Sequence, residues 1–257
     1  MGQVGELDTD TNALTSRINA HAIYGSGNLE EWVFAQLDVQ PDQKILEIGC
    51  GTGKQTIPLA RLIGEDGHIN AVDIAAASLS LLRRHALEEG LMSRISLINC
   101  AIDDTESYLR ETEEYDRTLA CYSIYYANDP DHVFSRVHGK LKHGGRLFFC
   151  GPAETNNAEL KTFHNKLSGK KLPASVASFM EDEGQKLARK LFERVYVSTF
   201  VNPLCFDNAV ALYDYWRSHN LYDPQIDRTF MTAADDYFST HNTFVTNKRV
   251  FGVLAVK

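Results

Sequence analysis

The chain has 257 residues, 44% of them hydrophobic, a length and composition suited to one undivided α/β core rather than to a disordered segment. Its 26 Lys and Arg against 34 Asp and Glu leave a formal charge of −8, and the basic residues are scattered, which argues against a surface that tracks nucleic-acid phosphates. No apolar run approaches membrane-spanning length, and the start MGQVGELDTD lacks the features of a secretory or myristoylation signal, with Glu6 where the latter needs Ser or Thr.

In chain order, Leu14 to Tyr24 reads as an amphipathic helix leading to a Gly-rich turn, YGSGN (Tyr24 to Asn28), and Leu29 to Leu37 as a second helix. Strands are expected near 44–49, 68–73, 94–100, 116–122 and 145–151, with helices near 54–64, 75–89, 103–112 and 131–141 between them. This regular alternation predicts a doubly wound, mostly parallel sheet with right-handed crossovers and helices on both faces. In such a sheet a ligand lies beyond the carboxyl ends of the strands, at the switch point. Gly53, Asp73, Ala101 and Cys121 all fall at expected carboxyl ends and so should converge on one crevice.

After Pro152 the alternation slackens. Helical patterns at Asn157–Leu167 and Ser175–Leu191 flank SGKKLP, followed by a strand at about Val195–Phe200, a helix at Asn208–His219, a polar helix near Ala233–Ser239 and a last strand in KRVFGVLAVK. The expected organisation is one domain: a helical leader at 1–43, a cofactor-binding core at 44–152, a helical cover at 153–192 and a sheet-edge hairpin at 193–257. The bland alternative for 153–192 is a packed accessory helix pair. The five cysteines (Cys50, Cys100, Cys121, Cys150, Cys205) contain no C-x-x-C and mostly sit in or beside strands, as small core residues of a reduced, cytoplasmic compartment do.

The segment KILEIGCGTGKQT (Lys44 to Thr56) carries the chemistry. An apolar run empties into glycines at 49, 51 and 53, spaced G-x-G-x-G, so the third glycine arrives one residue early for the dinucleotide fingerprint G-x-G-x-x-G. A P-loop fits worse, because Ile48 stands where its first glycine belongs and Gln55 where magnesium needs a hydroxyl. Asp73 ends a second apolar run, INAVD, twenty residues beyond Gly53. That spacing suits a carboxylate on a ribose diol, and the same residue could cap the following helix.

An E-x-G-x-G-x-G loop with such an acid downstream resembles motif I of the class I S-adenosylmethionine-dependent methyltransferases. RISLINCAIDD (Arg94 to Asp104), YDRTLACYSIYYANDP (Tyr115 to Pro130) and RVHGKLKHGGRLFFCGP (Arg136 to Pro152) are similar to the family's later segments in the right order. The resemblance, to the quinone-biosynthesis and natural-product groups, implies a seven-stranded Rossmann-like sheet whose two late strands form an antiparallel hairpin. It also implies S-adenosyl-L-methionine as cofactor, held by Glu47, Gly49, Cys50, Gly51, Thr52, Gly53, Gln55, Asp73 and Ile74. Ala101, Ile102, Asp103 and Cys121 complete the set, with Tyr24 as a lid. The aspartate common at the adenine edge is replaced by Ala101, which leaves Asp103 or backbone to meet the exocyclic amine. The [DN]-P-P-[YF] of base methyltransferases is absent at Cys121–Ile124, so the implied acceptor is a small molecule, methylated at oxygen, nitrogen or carbon.

Tyr125, Tyr126 and His164 are candidate acceptor contacts, with helix-cap packing and a surface position as their bland readings. No catalytic base is assigned. Asp129 and Asp131 read as a helix-start turn rather than as metal ligands, so no metal is expected. The competing functions are a nicotinamide-dependent oxidoreductase, disfavoured by the early third glycine, and a binding module that has kept the crevice without the chemistry.

Overall fold

The computed structural model describes residues 16, 19–21, 23–169 and 177–257. Residues 14, 15, 17, 18 and 22 of the expected leader helix and residues 170–176 of the insertion, with much of SGKKLP, lie outside them. Helix α1 (Leu29–Leu37) precedes an alternation of strands and helices: β1 (Lys44–Ile48), α2 (Thr56–Leu62), β2 (His68–Asp73), α3 (Ala76–Glu88), β3 (Ile95–Asn99), α4 (Thr105–Tyr108), β4 (Tyr115–Cys121), α5 (Pro130–Lys140) and β5 (Leu141–Pro152). The second half holds α6 (Ala158–Ser168), α7 (Gly184–Leu191), β6 (Arg194–Phe206), α8 (Ala209–Arg217), α9 (Asp227–Phe238) and β7 (Phe244–Val256).

The seven strands form one sheet in the order β3-β2-β1-β4-β5-β7-β6, in which only β7 runs antiparallel to its neighbours. The fold expected from the alternation is the one observed. Strands β1 and β2 are buried on both faces because helices cover both, and their continuous Ile/Leu/Val runs reflect it. Leu46, Ile48, Phe149 and Val253 pack with α5 and α7 on one face. Ile45 and Phe148 meet α1, α2 and α3 on the other through Leu37, Leu59 and Leu82. The chain leaves β1 toward β2 and β3, then crosses back to β4, so the switch point lies between β1 and β4.

Two expectations are corrected. The helix expected at 103–112 is a single turn, Thr105–Tyr108, because Tyr108 and Leu109 turn into the core and the residues that follow are too polar to continue an apolar face. The late strands are far longer than 195–200 and 248–257. Past the pair Pro152↔Val250, β6 and β7 stay in register from Val201↔Arg249 to Phe206↔Phe244. Six further pairs carry the hairpin ~20 Å beyond the end of β5 at ~3.3 Å per residue.

That extension organises a third core. Trp216 of α8 stacks on Phe230 of α9, with centroids 4.0 Å apart and planes 3° from parallel, and Leu160 of α6, Leu204, Phe206 and Phe244 close around them. The two helices of the insertion part company here. Helix α6 belongs to this cap, whereas Met180, Leu187 and Ala188 from the second helical stretch are buried with Phe149 and Val253 in the main core.

Candidate active site

The three loop glycines all take positive φ, 77° at Gly49, 53° at Gly51 and 90° at Gly53, a conformation that side chains resist. Their surroundings differ. A Cβ on Gly49 would strike Ser123, and one on Gly53 would strike Leu82 of α3, so these two let the loop lie tight against β4 and α3. A Cβ on Gly51 would meet nothing within 4 Å. Gly51 is therefore the place where the loop presents bare backbone to open space.

Asp73 sits at the carboxyl end of β2 with both carboxylate oxygens aligned by backbone donors. Gly51 N–H donates to Oδ2 at 2.7 Å and Ala75 N–H to Oδ1 at 2.8 Å. Both readings of this residue, loop partner and helix-start cap, coexist in one side chain. Each oxygen keeps lone-pair capacity for a diol. Beside it Ile74 is 73% exposed, an apolar side chain standing free next to a carboxylate, as a wall for a flat ring requires. These features fit an adenosine-bearing cofactor: Asp73 for the ribose, Ile74 for the base, and Gly51 backbone beneath the rest.

The other residues of the expected set differ in burial and partners. Glu47 is 1% exposed and accepts from Thr56 Oγ1 at 2.7 Å. Burial pushes its carboxyl up to about 8, against the lowering effect of the Thr56 hydrogen bond, so it braces β1 against α2 as a neutral acid beneath the loop and does not reach the crevice. Asp103 is occupied: its carboxylate accepts from the backbone N–H groups of Asn128 and Asp129 and from Asn128 Nδ2 at 2.9–3.1 Å. It pins the loop after β3 to the loop after β4. Ile102 is half-buried against the core. Cys50 is buried, Thr52 half-buried, and Gln55 occupies the position before α2.

Tyr125 is 7% exposed within the main core, and the Tyr126 ring lies tilted against it with centroids 4.6 Å apart. His164 is 4% exposed, its Nδ1 accepting from Trp216 Nε1 at 3.3 Å in the cap core. Tyr125 and His164 are thus packing residues, because apolar surroundings claimed them from both sides. Tyr24 lies 4.8 Å from Phe206 on the hairpin extension. Its segment is fastened by Asn202, whose Oδ1 accepts from Ser26 N–H at 2.9 Å and Gly27 N–H at 2.8 Å. Cys121 faces Cys150 across the β4–β5 pair with sulfurs 3.3 Å apart. Among the described residues no three His, Cys, Asp or Glu are grouped to hold a metal, and no helix is long and apolar enough to cross a membrane.

Tyr122 was not among the expected site residues. It follows β4 with φ 57°, an outlier for a bulky side chain, and Lys248 Nζ lies 5.5 Å from the centre of its ring. Ser123 Oγ donates to the Ile48 carbonyl and Tyr122 N–H to the Cys150 carbonyl, so bonds to strands on both sides hold the strained residue in place. Nothing local in CYSIYY signals this, and Lys248 is distant in the chain.

Residues 45–145 match the family described as "Methyltransferase domain". Aklanonic acid methyltransferase DauC of Streptomyces sp. (strain C5) is 30% identical over 110 residues, which are 43% of this chain and 48% of that protein. The ubiquinone/menaquinone biosynthesis C-methyltransferase UbiE of Coxiella burnetii is 24% identical over 154 residues, 60% of each chain. The chain thus covers less than two thirds of either curated relative. A SAM-dependent O-methyltransferase from Thermotoga maritima shares the fold with a TM-score of 0.52 at 16% identity, over 98% of this chain and 70% of that one. The segment that matches that family, 45–145, contains the glycine loop, Asp73 and the end of β4.

Proposed function

We propose that the protein transfers a methyl group from S-adenosyl-L-methionine to a small-molecule acceptor. The observation that carries this reading is the junction of Gly51 and Asp73: a bare loop backbone over open space, hydrogen-bonded to a carboxylate that stands beside an exposed apolar side chain. The bound cofactor would supply an electrophilic sulfonium methyl, and the residues of the chain supply alignment and exclusion of water. Alignment of nucleophile, methyl and leaving group can account for ~7–11 kcal/mol of a barrier. The Asp73–Gly51 pair fixes the nucleoside end over β1 and β2, which leaves the β4 side of the crevice for the acceptor. The hairpin extension and its cap rise over that side and support a role in shielding the transfer. Glu47 and Tyr122 both favour their protonated forms at neutral pH, Glu47 at about 8 and Tyr122 well above the usual phenol range, chiefly through burial. Neither supports a general base, so the acceptor is read as one that arrives nucleophilic. The thiols of Cys50, Cys121 and Cys150, unpaired by disulfides, support work in a reducing compartment such as the cytoplasm.

The test is calorimetric titration with S-adenosylhomocysteine and, separately, with NAD and NADP, followed by incubation of cell extract with methyl-labelled cofactor and mass identification of the product. Saturable S-adenosylhomocysteine binding with a labelled product is expected. Saturable binding of NAD or NADP instead would overturn the assignment, and cofactor binding without any labelled product would favour a binding module.

A further inference from the structure

Strand β6 is an edge of the sheet, and an edge offers a row of unpaired backbone groups that proteins ordinarily guard with charges, bulges or covering segments. From Val195 to Phe206 the strand carries no charged residue. Among the described residues, the one backbone pairing on its outer side is the bridge between Gly25 and Leu204. Short of that bridge, Tyr196, Val197 and Val201 are 54%, 46% and 45% exposed. Pro203 stays in register with Asn247 although it has no N–H, so its backbone groups turn away from β7. Val195, Val197, Thr199 and Val201 share that parity and present their N–H and C=O groups outward. The run Val195–Val201 reads V-Y-V-S-T-F-V, a chemical palindrome about Ser198. Turned antiparallel on itself there, it sets Val195 opposite Val201, Tyr196 opposite Phe200 and Val197 opposite Thr199. Aromatic then meets aromatic and β-branched meets β-branched, the pairs that stabilise neighbouring strands. A register centred one residue to either side sets Tyr196 or Phe200 against Ser198 and loses the aromatic pair. In the register about Ser198, Glu193 faces Pro203 and Arg194 faces Asn202, so no like charges are opposed.

We propose that β6 pairs with β6 of a second copy of this chain, antiparallel about a two-fold axis at Ser198, and joins the two sheets into one. A strand paired with itself makes an isologous contact that closes as a dimer and covers both edges at once. A palindromic run serves that contact, whereas an unrelated strand would need no such symmetry. The outward groups of Val197 exchange hydrogen bonds with the second copy's Thr199, and those of Val195 with its Val201. Ser198 falls at a non-hydrogen-bonded position, where facing Cβ atoms lie ~4.5–5.5 Å apart. Phe200 already has its ring 5.7 Å from Trp32, and the second copy's Tyr196 extends that aromatic row. The backbone bends at Glu193 before β6 begins, so the second copy leaves the edge opposite Pro203, short of the leader's bridge at Leu204. A strand pair of this length buries less than the ~1,600 Å² of a standard interface, which makes the dimer a reversible one. Asp73 and the glycine loop belong to β2 and β1, toward the other edge of the sheet, and the inference stands apart from the methyltransferase reading.

Sedimentation equilibrium of the whole chain from about 1 to about 200 μM, the range of weak specific association, should show a reversible monomer–dimer equilibrium. Ser198→Lys places two ammonium groups opposite one another and should weaken the dimer tenfold or more, as should Ser198→Glu. Ser198 is partly exposed, so the melting temperatures of both variants should stay near that of the wild type. Mixing the two variants should restore a dimer, now of opposite charges. In a Cys205→Ser background, which removes the exposed thiol, Ser198→Cys should give a disulfide-linked dimer with oxidised glutathione. Thr199→Cys, opposite Val197, should cross-link markedly less. A monomer across the whole range, a dimer untouched by both charged variants, no rescue on mixing, or cross-linking at 199 that equals or exceeds that at 198 overturns the proposal. Where a charged variant fails to fold, the wild-type sedimentation and the cross-linking pair still decide it.

Discussion

Gly51 donates its backbone N–H to Asp73 Oδ2 at 2.7 Å, tying the glycine loop after β1 to the end of β2. The loop and the acid therefore hold one another in place. Asp73→Ala removes the side-chain acceptors of two backbone N–H groups as well as the expected ribose contacts, each of which is worth ~1.5–3 kcal/mol when charge-assisted. S-adenosylhomocysteine affinity, read by calorimetry, should fall at least tenfold in a folded protein. Unchanged affinity would remove Asp73 from the site.

The glycines separate binding from packing. Gly51→Val faces open space, so the folded chain should lose only the ~1–2 kcal/mol of a left-handed non-glycine residue, while cofactor binding disappears because the side chain fills the cofactor's place. Gly53→Ala presses on Leu82 and should lower the melting temperature more than Gly51→Val does. Thermal melts beside titrations distinguish the two, and normal binding by a folded Gly51→Val protein would reduce the loop to a turn.

Glu47 gives the stability a pH dependence. Its folded pKa, about 8, lies above the ordinary 4.5, so the folded chain holds a proton that the unfolded chain has lost. Full stability is present below about 4.5 and declines as pH rises toward and through 8, at up to ~1.4 kcal/mol per pH unit. Glu47→Gln keeps an acceptor for Thr56 without an ionisable group. Chemical denaturation at pH 5.5 and 8.5 should show the variant gaining on the wild type by a few kcal/mol at the higher pH; parallel curves would mean that Glu47 is not buried as a neutral acid.

How far the sequence reached depends on the kind of contact. The parallel order through β5 and the placement of Gly51 and Asp73 follow from local patterns, since apolar runs and glycine spacing are set by neighbours along the chain. The partners of Glu47 and Asp103 were not legible, because a motif says which residues gather and not which way each points: Glu47 accepts from Thr56, and Asp103 accepts from the loop at Asn128. Tyr122 and Lys248 meet only because the hairpin runs six pairs past the sheet. That length was illegible in VSTFVNPLCF, where Pro203 argues against a strand, and Pro203 is tolerated because β6 is the edge strand of the sheet.

The last prediction concerns Asn202, which is 2% exposed and whose Oδ1 receives the N–H groups of both Ser26 and Gly27. Gly25 also packs directly on its amide, where a Cβ could not fit. The leader is thus clasped to the hairpin extension by this side chain and by the antiparallel bridge between Gly25 and Leu204, with Tyr24 against Phe206 beside them. Asn202→Ala leaves two part-buried N–H groups without their acceptor, at ~0.5–1.5 kcal/mol for each hydrogen bond lost. Hydrogen exchange should speed up across residues 23–28 and not in β1 or β2. If the leader also folds over the cofactor, S-adenosylhomocysteine should dissociate faster from the variant while its association rate stays near that of the wild type. Faster exchange with an unchanged dissociation rate would show that Tyr24 fastens the leader to the hairpin without covering the site.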